Sequence, residues 1–537
     1  MNNIRKECKP QLTIEKIKKI LKQNNIKVKE YKFKNINKEL YSIRIEIKGF
    51  YNLGTNGKGI SKDSAKASAY AELMERLQSR LLIPIYYLTK ENSFINTDEI
   101  VEPKIIQKNQ NIINTFFENN VNKNIFFNNN SKYNLISKYY DLKNNKYVYL
   151  PIKLINATTY SNGLCAGNSY FEAVNQGICE IFERYCYQTI VNNEIILNTI
   201  IIDNKLDSYY KIENIKKYNL NVYIKDFSLG IYPVVGVIIT NKDNSKYIMT
   251  VGSDLNIDIA IQRCLTEIFQ GLKDINALIN KMKDINNNYD KLTIDERKVN
   301  WLNNYSTNNG IHPTIIFNSN VLINYNEVKA FKNLDNNKDV YKELINIITK
   351  NNLCIYIKDY SFLKFHTYKV FIPNLSNIIT IDNKEASVIK EFEFLKSIYF
   401  NLDTVNNKDE LKRACLIIED MIKSFRYSFI KLGIFFHSYN FIKTNYNNIT
   451  FELLYVLIKY KINEKPDLNT LSNKKLINYL NSINCQDKFS FIIKDLKLII
   501  PKCPNCKLCR LKTNCKYKNW KKLNNTLKEK EKLFLNK

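Results

Sequence analysis

Histidine, apolar runs and acidic charge are all scarce in this chain, and each shortage removes a class of explanation. Only three histidines, His312, His366 and His437, occur in 537 residues, far apart and without ligand spacing. Imidazole-based metal binding or nucleophile activation therefore has no support, and each histidine reads as structural. No run of about 18 or more uncharged apolar residues occurs, and the opening MNNIRKECKPQL lacks the apolar core of a secretory signal. A cytoplasmic protein without a membrane segment is expected. The 52 acidic residues are outnumbered by 81 Lys and Arg, leaving a formal charge of +29. Lysine and asparagine are abundant everywhere, including Asn128 to Lys132 and Asn286 to Lys291. A composition-wide bias accounts for the charge better than a dedicated nucleic-acid surface. A non-catalytic RNA- or ribosome-binding protein stays open as an alternative of another class.

Glycine is scarce too, which makes its clustering informative. Of 13 glycines, Gly49, Gly54, Gly57 and Gly59 crowd into one short run ahead of a helix-forming segment. Such a run reads as a glycine loop opening onto a helix N-terminus, a natural anion site. The helix carries Ser68, Glu72, Glu75 and Arg76 on one face. The design returns downstream: Gly59 precedes Glu72 by 13 residues, and Gly167 precedes Glu180 by 13, with Glu72-Leu73-Met74-Glu75-Arg76 answered by Glu180-Ile181-Phe182-Glu183-Arg184. Equal spacing indicates an internal duplication.

The length suits roughly two to four domains. Thr13 is placed to cap a first helix, and Ile43, Ile45 and Ile47 alternate with Arg44 and Glu46 as a half-buried strand leading to the glycine loop. A polar excursion runs from about 81 to 145. Tyr147 to Leu154 reads as a strand, Ser161 to Ser169 as the second small-residue loop, and Tyr170 to Val191 as its helix, with Ser169 and Glu172 at capping-box spacing. Val222 to Asp226 followed by Pro233 to Thr240 is echoed by Ile355 to Asp359 followed by Tyr368 to Pro373. Between them a third helix, Asp258 to Leu278, presents Arg263, Glu267 and Gln270. From Lys408 onward the pattern is helical and glycine-poor.

Carboxylates three apart on duplicated helices (Glu72, Glu75; Glu180, Glu183), joined by Glu267, are suited to hard cations such as magnesium, which keeps waters and substrate phosphates as further ligands. Arg76, Arg184 and Arg263 are suited to phosphates. The segment matches neither the P-loop pattern nor the dinucleotide-binding pattern, despite Gly57-Lys58-Gly59. Nucleotide binding in a less familiar fold follows.

The chain resembles the YcaO family in Thr55-Asn56-Gly57-Lys58-Gly59, Ser68-Ala69 with the Glu72 to Arg76 helix, Ser161-Asn162-Gly163 with Ala166-Gly167-Asn168, Glu172-Ala173, Glu180 to Arg184, and Thr266-Glu267 with Gln270. The resemblance spans about Met1 to Thr380. It implies an α+β fold with duplicated strand-loop-helix units forming an ATP site, and an ATP- and magnesium-dependent enzyme that activates a backbone amide by phosphorylating its oxygen. It also implies that Lys6, Thr13, Ser68, Glu72, Arg76, Asn168, Glu172, Arg184 and Arg263 bind ATP and that Glu75, Glu180, Glu183 and Glu267 hold magnesium. Cys165 stands where the family usually has Ser or Ala.

Within the family, SNGLCAGN, DFSLGIYPV and TEIFQG look similar to the branch that supports β-methylthiolation of an aspartate in a small-subunit ribosomal protein. This implies a protein substrate, a radical methylthiotransferase and the ribosome as partners, and a homodimer. The rival is a maturase forming azolines or thioamides in ribosomally made peptides, a branch that typically ends in a proline-rich tail unlike KEKEKLFLNK. Three regions are expected: an ATP-binding domain over 1–385, a helical domain over 386–500, and a cysteine cluster with a basic tail over 501–537. Eight scattered cysteines read as reduced core thiols. Cys503, Cys506, Cys509 and Cys515 are spaced to hold zinc or an iron–sulfur cluster.

Overall fold

Ile43, Ile45 and Ile47 are buried while Arg44 and Glu46 are only partly covered, and they form the centre of the first of three sheets. The structure, a computed structural model, describes residues 6–36, 39–81, 98–100, 110–123, 135–318, 321–423, 431–432, 442–501, 507, 509–511 and 513–535. In the first sheet β3 (Leu40–Ile47) pairs antiparallel with β1 (Val28–Glu30) and β2 (Lys34–Ile36) along one edge and with β4 (Gly54–Gly59) along the other. The second sheet has the order β13 (Lys283–Asp284), β12 (Lys246–Ser253), β11 (Val234–Asn241), β10 (Leu220–Asp226), β9 (Thr199–Ile201), β14 (Leu322–Asn324), antiparallel except for the last pair. The third runs β5 (Asp98–Ile100), β6 (Leu135–Asp141), β15 (Tyr356–Asp359), β16 (His366–Phe371), β8 (Leu164–Gly167), with β7 (Lys146–Pro151) on β6. The fold is mixed α+β, as expected.

The helices are α1 (Pro10–Gln23), α2 (Lys62–Gln78), α3 (Gln110–Asn114), α4 (Ile152–Thr159), α5 (Tyr170–Asn192), α6 (Asp207–Lys216), α7 (Ile257–Ile268), α8 (Ile275–Ile279), α9 (Ile294–Thr307) and α10 (Asn337–Lys350). From residue 383 the described elements are helical: α11 (Asn383–Asn401), α12 (Lys408–Lys423), α13 (Phe451–Lys461), α14 (Lys474–Ser482), α15 (Lys488–Asp495) and α16 (Tyr517–Leu535), with short 3-10 turns between them. Three helices matter most for position. α2 packs on β3 and β4 and reaches β8 and β16, α5 lies between β8 and β16 on one side and β12 on the other, and α7 packs on β11 and β12 while touching β3 and β4. They are thus held in a ring by all three sheets.

Several expectations change. The glycines from Gly54 to Gly59 form a strand rather than a loop. They are glycines because α2 lies against them: a Cβ on Gly57 would come within 2.0 Å of the Ala65 carbonyl oxygen and 2.5 Å of the Ala69 nitrogen. Ser61 then caps α2 in a capping box with Ser64. The second unit repeats this as β8, Ser169 and α5. Thr13 is no cap, since Pro10 starts α1 and Thr13 lies buried within it. The strand begun at Tyr147 ends at Pro151 and turns into α4. The third helix stops at Ile268, where a turn through Gly271 (φ +77°) precedes α8. The excursion ends inside a main sheet as β6. His312 is buried between the Tyr187 and Tyr247 hydroxyls, and His366 bonds Tyr368, so both are structural; His437 and the loop 128–132 lie outside the described residues.

The chain's last helix reaches back to the first sheet. Glu531 on α16 pairs with Arg80, two residues past α2, at 2.8 Å with both side chains almost fully buried. Arg80 also lies over the Phe362 ring at 5.1 Å. Glu531→Ala strands a buried guanidinium, and chemical denaturation should register a loss of about 3–5 kcal/mol. Arg80→Met combined with Glu531→Leu should recover most of that loss.

Glu30 on β1 joins α1 and α2 to the sheet by accepting from Lys18 at 2.8 Å, from Lys66 at 2.5 Å and from Tyr70 at 2.7 Å. Against the penalty of burial, these partners hold its carboxyl down at about 2. A carboxyl lowered on folding stabilises fully above its unfolded value near 4.5 and loses that contribution as pH falls toward 2. Glu30→Gln should therefore lower stability at pH 7 by about 1–2 kcal/mol after solvent screening. The deficit should vanish at the acid end of a pH series of melting curves.

Candidate functional site

A cavity of about 560 Å³ lies inside the ring of α2, α5 and α7, and the start of α1 closes it. Its walls include Lys6, Thr13, Ser68, Glu72, Glu75, Arg76, Asn168, Glu172, Glu180, Glu183, Arg184, Arg263 and Glu267. Every residue expected to serve ATP or magnesium therefore comes to this one cavity.

At one end, the segment before α1 is tied to the start of α5. Glu172 accepts from Lys6 Nζ at 3.1 Å, the Glu7 amide at 3.3 Å and Asn168 Nδ2 at 3.2 Å. Against burial, Lys6, Asn168 and that amide hold its carboxyl below the usual range. Ser169 caps the helix through the Glu172 amide, so the Glu172 carboxylate is free of capping duty and serves the cavity. Thr13 Oγ1 donates to Asn168 Oδ1 at 3.0 Å.

At the other end, like charges are forced together. Burial, reinforced by Glu180 and Glu72, pushes the Glu75 carboxyl up to about 8 in spite of Arg76. Glu180 is raised by burial and by Glu183. Burial, with Arg263 beside it, brings Lys58 down to about 8. Arg76 Nε lies 3.5 Å from Glu75 and 3.7 Å from Glu72, Arg184 lies 3.4 Å from Glu183, and Lys58 pairs with Glu267. Glu72, Glu75, Glu183 and Glu267 are thus each engaged by a cation of the same cavity.

Among the described residues no three of His, Cys, Asp and Glu converge as a ready-made metal cage. Magnesium is commonly held by one or two carboxylates plus substrate phosphates. The donor set is all oxygen for a hard cation, with guanidinium and ammonium groups for phosphates. Arg184 Nε is buried with no hydrogen-bond partner among the described residues, an orphan that an anionic ligand satisfies. The residues present fit a nucleoside triphosphate with a divalent cation. They would hold it through Arg76, Arg184, Arg263 and Lys58 on the phosphate side and Glu75, Glu180, Glu183 and Glu267 on the metal side.

Sequence reasoning missed Asp254 and Asn337, which also line the cavity, and Lys369 beneath it. Asn337 Nδ2 donates to Glu7 Oε1 at 2.9 Å. Lys369 is 1% exposed and donates to the Tyr160 and Asn162 carbonyls at 3.0 and 2.7 Å; burial brings its ammonium down to about 7, with Glu180 and Glu75 opposing. The cysteine cluster gains no support. Cys503 and Cys506 lie outside the described residues, Cys509 is buried in the core that also holds Leu511 and Trp520, and Cys515 packs against that core. None of the other eight cysteines is in a disulfide among the described residues, and five of them are buried. Among the described residues no helix is long and apolar enough to cross a membrane.

The family model for YcaO cyclodehydratases, described as ATP- and Mg2+-binding, matches residues 56–376. An uncharacterized protein of Haemophilus influenzae is 25% identical over 404 residues, covering 69% of this chain and 65% of its own. The Escherichia coli ribosomal protein S12 methylthiotransferase accessory factor YcaO is 25% identical over 399 residues, covering 68% and 64%. The chain thus spans just under two thirds of the length of these curated relatives. Among solved structures, YcaO from Methanopyrus kandleri bound with AMPPCP and Mg2+ aligns with a TM-score of 0.46 at 14% identity, covering 69% of this chain and 93% of that one. A heterocyclase in complex with substrate and cofactor aligns with a TM-score of 0.47 at 16% identity, covering 69% and 53%. With the match running from Asn56 on β4 to Ser376 beyond β16, and with it α2, α5 and α7 entire, the chain belongs to the YcaO family.

Proposed function

We propose that the cavity binds ATP with magnesium and that the protein, a cytoplasmic enzyme working as a homodimer, phosphorylates the oxygen of a backbone amide in a protein or peptide substrate. The observation that carries this reading is the convergence on one cavity of every glutamate and arginine in the duplicated motifs, together with Glu267 and Arg263 of α7. ATP would supply the phosphoryl group, and the cation would offset the negative charge of its phosphates. Arg76, Arg184 and Arg263 face the charge that gathers on that group during transfer, in a site where low dielectric strengthens each contact. Glu75, Glu180, Glu183 and Glu267 fix the cation, while Lys6, Thr13, Ser68, Glu72, Asn168 and Glu172 enclose the nucleotide. As the amide oxygen bonds to phosphorus, the bond to the departing ADP breaks. The oxygen then leaves as phosphate when a nucleophile adds to the amide carbon.

The name of the E. coli relative supports a role as accessory factor to β-methylthiolation of a small-subunit ribosomal protein, with a radical methylthiotransferase as partner. The family's description as cyclodehydratases favours a second reading, azoline or thioamide formation in a ribosomally made peptide. Purified protein should release ADP and phosphate from ATP only when magnesium is present. Neither binding nor hydrolysis of ATP would sink the proposal. Mass spectrometry of candidate substrates separates the two readings: loss of water or exchange of oxygen for sulfur indicates the second, and added methylthio mass with the methylthiotransferase present indicates the first.

A further inference from the structure

A second cavity, of about 740 Å³, lies on the far flank of α1 and α2 from the nucleotide cavity. Its lining includes Lys22 of α1, Lys27 and Lys29 at β1, and Lys48 past the end of β3. Leu21, Ile26 and Val28 give it an apolar floor. Lys22, Lys27 and Lys48 are exposed, and no carboxylate of the described residues forms an ion pair with them. The nearby Glu30 is already taken by Lys18 and Lys66.

The cavity also borders a strand edge. β1 and β2 flank the same edge of β3, so the outer edge of β1 has no strand beside it among the described residues. The Tyr31 amide donates to the Arg44 carbonyl at 3.0 Å and the Lys48 amide to the Lys27 carbonyl at 2.8 Å. By antiparallel alternation, Lys27, Lys29 and Tyr31 turn their peptide groups toward β3, and Val28 and Glu30 turn theirs outward. An exposed edge is a template for another chain unless it is blunted, and lysines beside it repel basic chains and neutral stacking while leaving acidic ones welcome.

We infer that this edge is a docking site for an extended acidic segment of a partner protein, which adds a strand beside β1 while its carboxylates meet Lys22, Lys27 and Lys48. The site goes beyond the amide-activating reading and stands without it, because docking needs no nucleotide. Its placement suits recruitment: α1 contributes Thr13 to the nucleotide cavity and Lys22 to the groove, about 13 Å apart along the helix axis. On α2, Ser68 and Glu72 face the first cavity and Tyr70 the second.

The test uses the full chain and a fluorescein-labelled peptide of about eight residues alternating Glu and Val, long enough to cover the edge. Fluorescence anisotropy should report salt-sensitive binding, unchanged by ATP. The triple variant Lys22→Glu, Lys27→Glu, Lys48→Glu, all exposed positions, should weaken it by about tenfold or more with an unaltered melting temperature. The same peptide N-methylated at alternate residues should also bind more weakly, because it cannot complete the strand ladder. Equal affinity of the triple variant, or equal binding of the N-methylated peptide, overturns the proposal. So does displacement of the peptide by an RNA oligonucleotide of matched charge at equal concentration, which would make the surface a general polyanion site.

Discussion

Glu75→Gln should reduce ATP turnover by about 10²–10³-fold while leaving thermal stability unchanged or slightly higher. The two halves of this expectation have separate causes. Glu75 is 6% exposed, and burial together with its carboxylate neighbours raises its carboxyl to about 8, so near neutral pH the isolated side chain is mostly protonated. Glutamine copies that neutral form in shape and hydrogen bonding, and folding loses little. It cannot supply the anionic oxygen that a hard cation requires. Coupled ADP-release assays and melting curves on the same preparation check both halves. A variant that turns over ATP normally removes Glu75 from the metal side of the cavity, and one that melts far lower shows that the carboxylate had a structural role.

Gly57→Ala should cost roughly 3 kcal/mol or more, enough to leave the protein insoluble or unable to bind nucleotide. The added methyl would sit 2.0 Å from the Ala65 oxygen, 2.5 Å from the Ala69 nitrogen and 2.7 Å from the Ala69 Cβ. Two of those atoms are helix backbone, so no side chain can rotate away. α2 must instead lift off β4, taking Ser68, Glu72, Glu75 and Arg76 with it. Gly230→Ala is the control: its φ of +74° is strained for alanine, but nothing lies within 4 Å. It should cost only about 1 kcal/mol. Urea titrations of both variants separate a steric effect from a general intolerance of glycine replacement.

Much of the site was legible because its chemistry is carried by spacing. Equal intervals from Gly59 to Glu72 and from Gly167 to Glu180 mark two strand-to-helix units, and each does consist of a strand, a serine cap and a glutamate helix. What the glycines do is ambiguous in sequence, because Gly is consistent both with positive φ and with close approach. The decisive signal lay elsewhere, in Ala65 and Ala69 four apart on the helix, a small-residue face that invites a strand to lie on it. The end of the third helix is hard to read from sequence because Leu272 and Leu278 continue the apolar rhythm across the Gly271 turn and are themselves buried. β6 was hidden for the opposite reason, since Ser137, Tyr139 and Asp141 are polar yet almost wholly buried.

Lys369 and Asn337 could not be found from local pattern. A lysine between Tyr368 and Val370 in a strand reads as solvent-facing, and it is buried only because distant carboxylates and two carbonyls lie around it. Asn337 looks like an ordinary residue at a helix start. It meets Glu7 across 330 positions of chain. Contacts of that range leave no periodic trace, which is why helix-borne glutamates were readable and these partners were not.

The pairing of Arg80 with Glu531 also sets a clock on the protein's birth. The two are 451 positions apart, so a ribosome adding about 10 residues per second finishes α2 roughly three quarters of a minute before Glu531 is made. Until then a guanidinium destined for burial lacks its counter-charge at the foot of the helix that bears Glu72, Glu75 and Arg76. Chains cut short ahead of Glu531 therefore keep an unneutralised charge there, and α2 should come loose in them more readily than in the full chain.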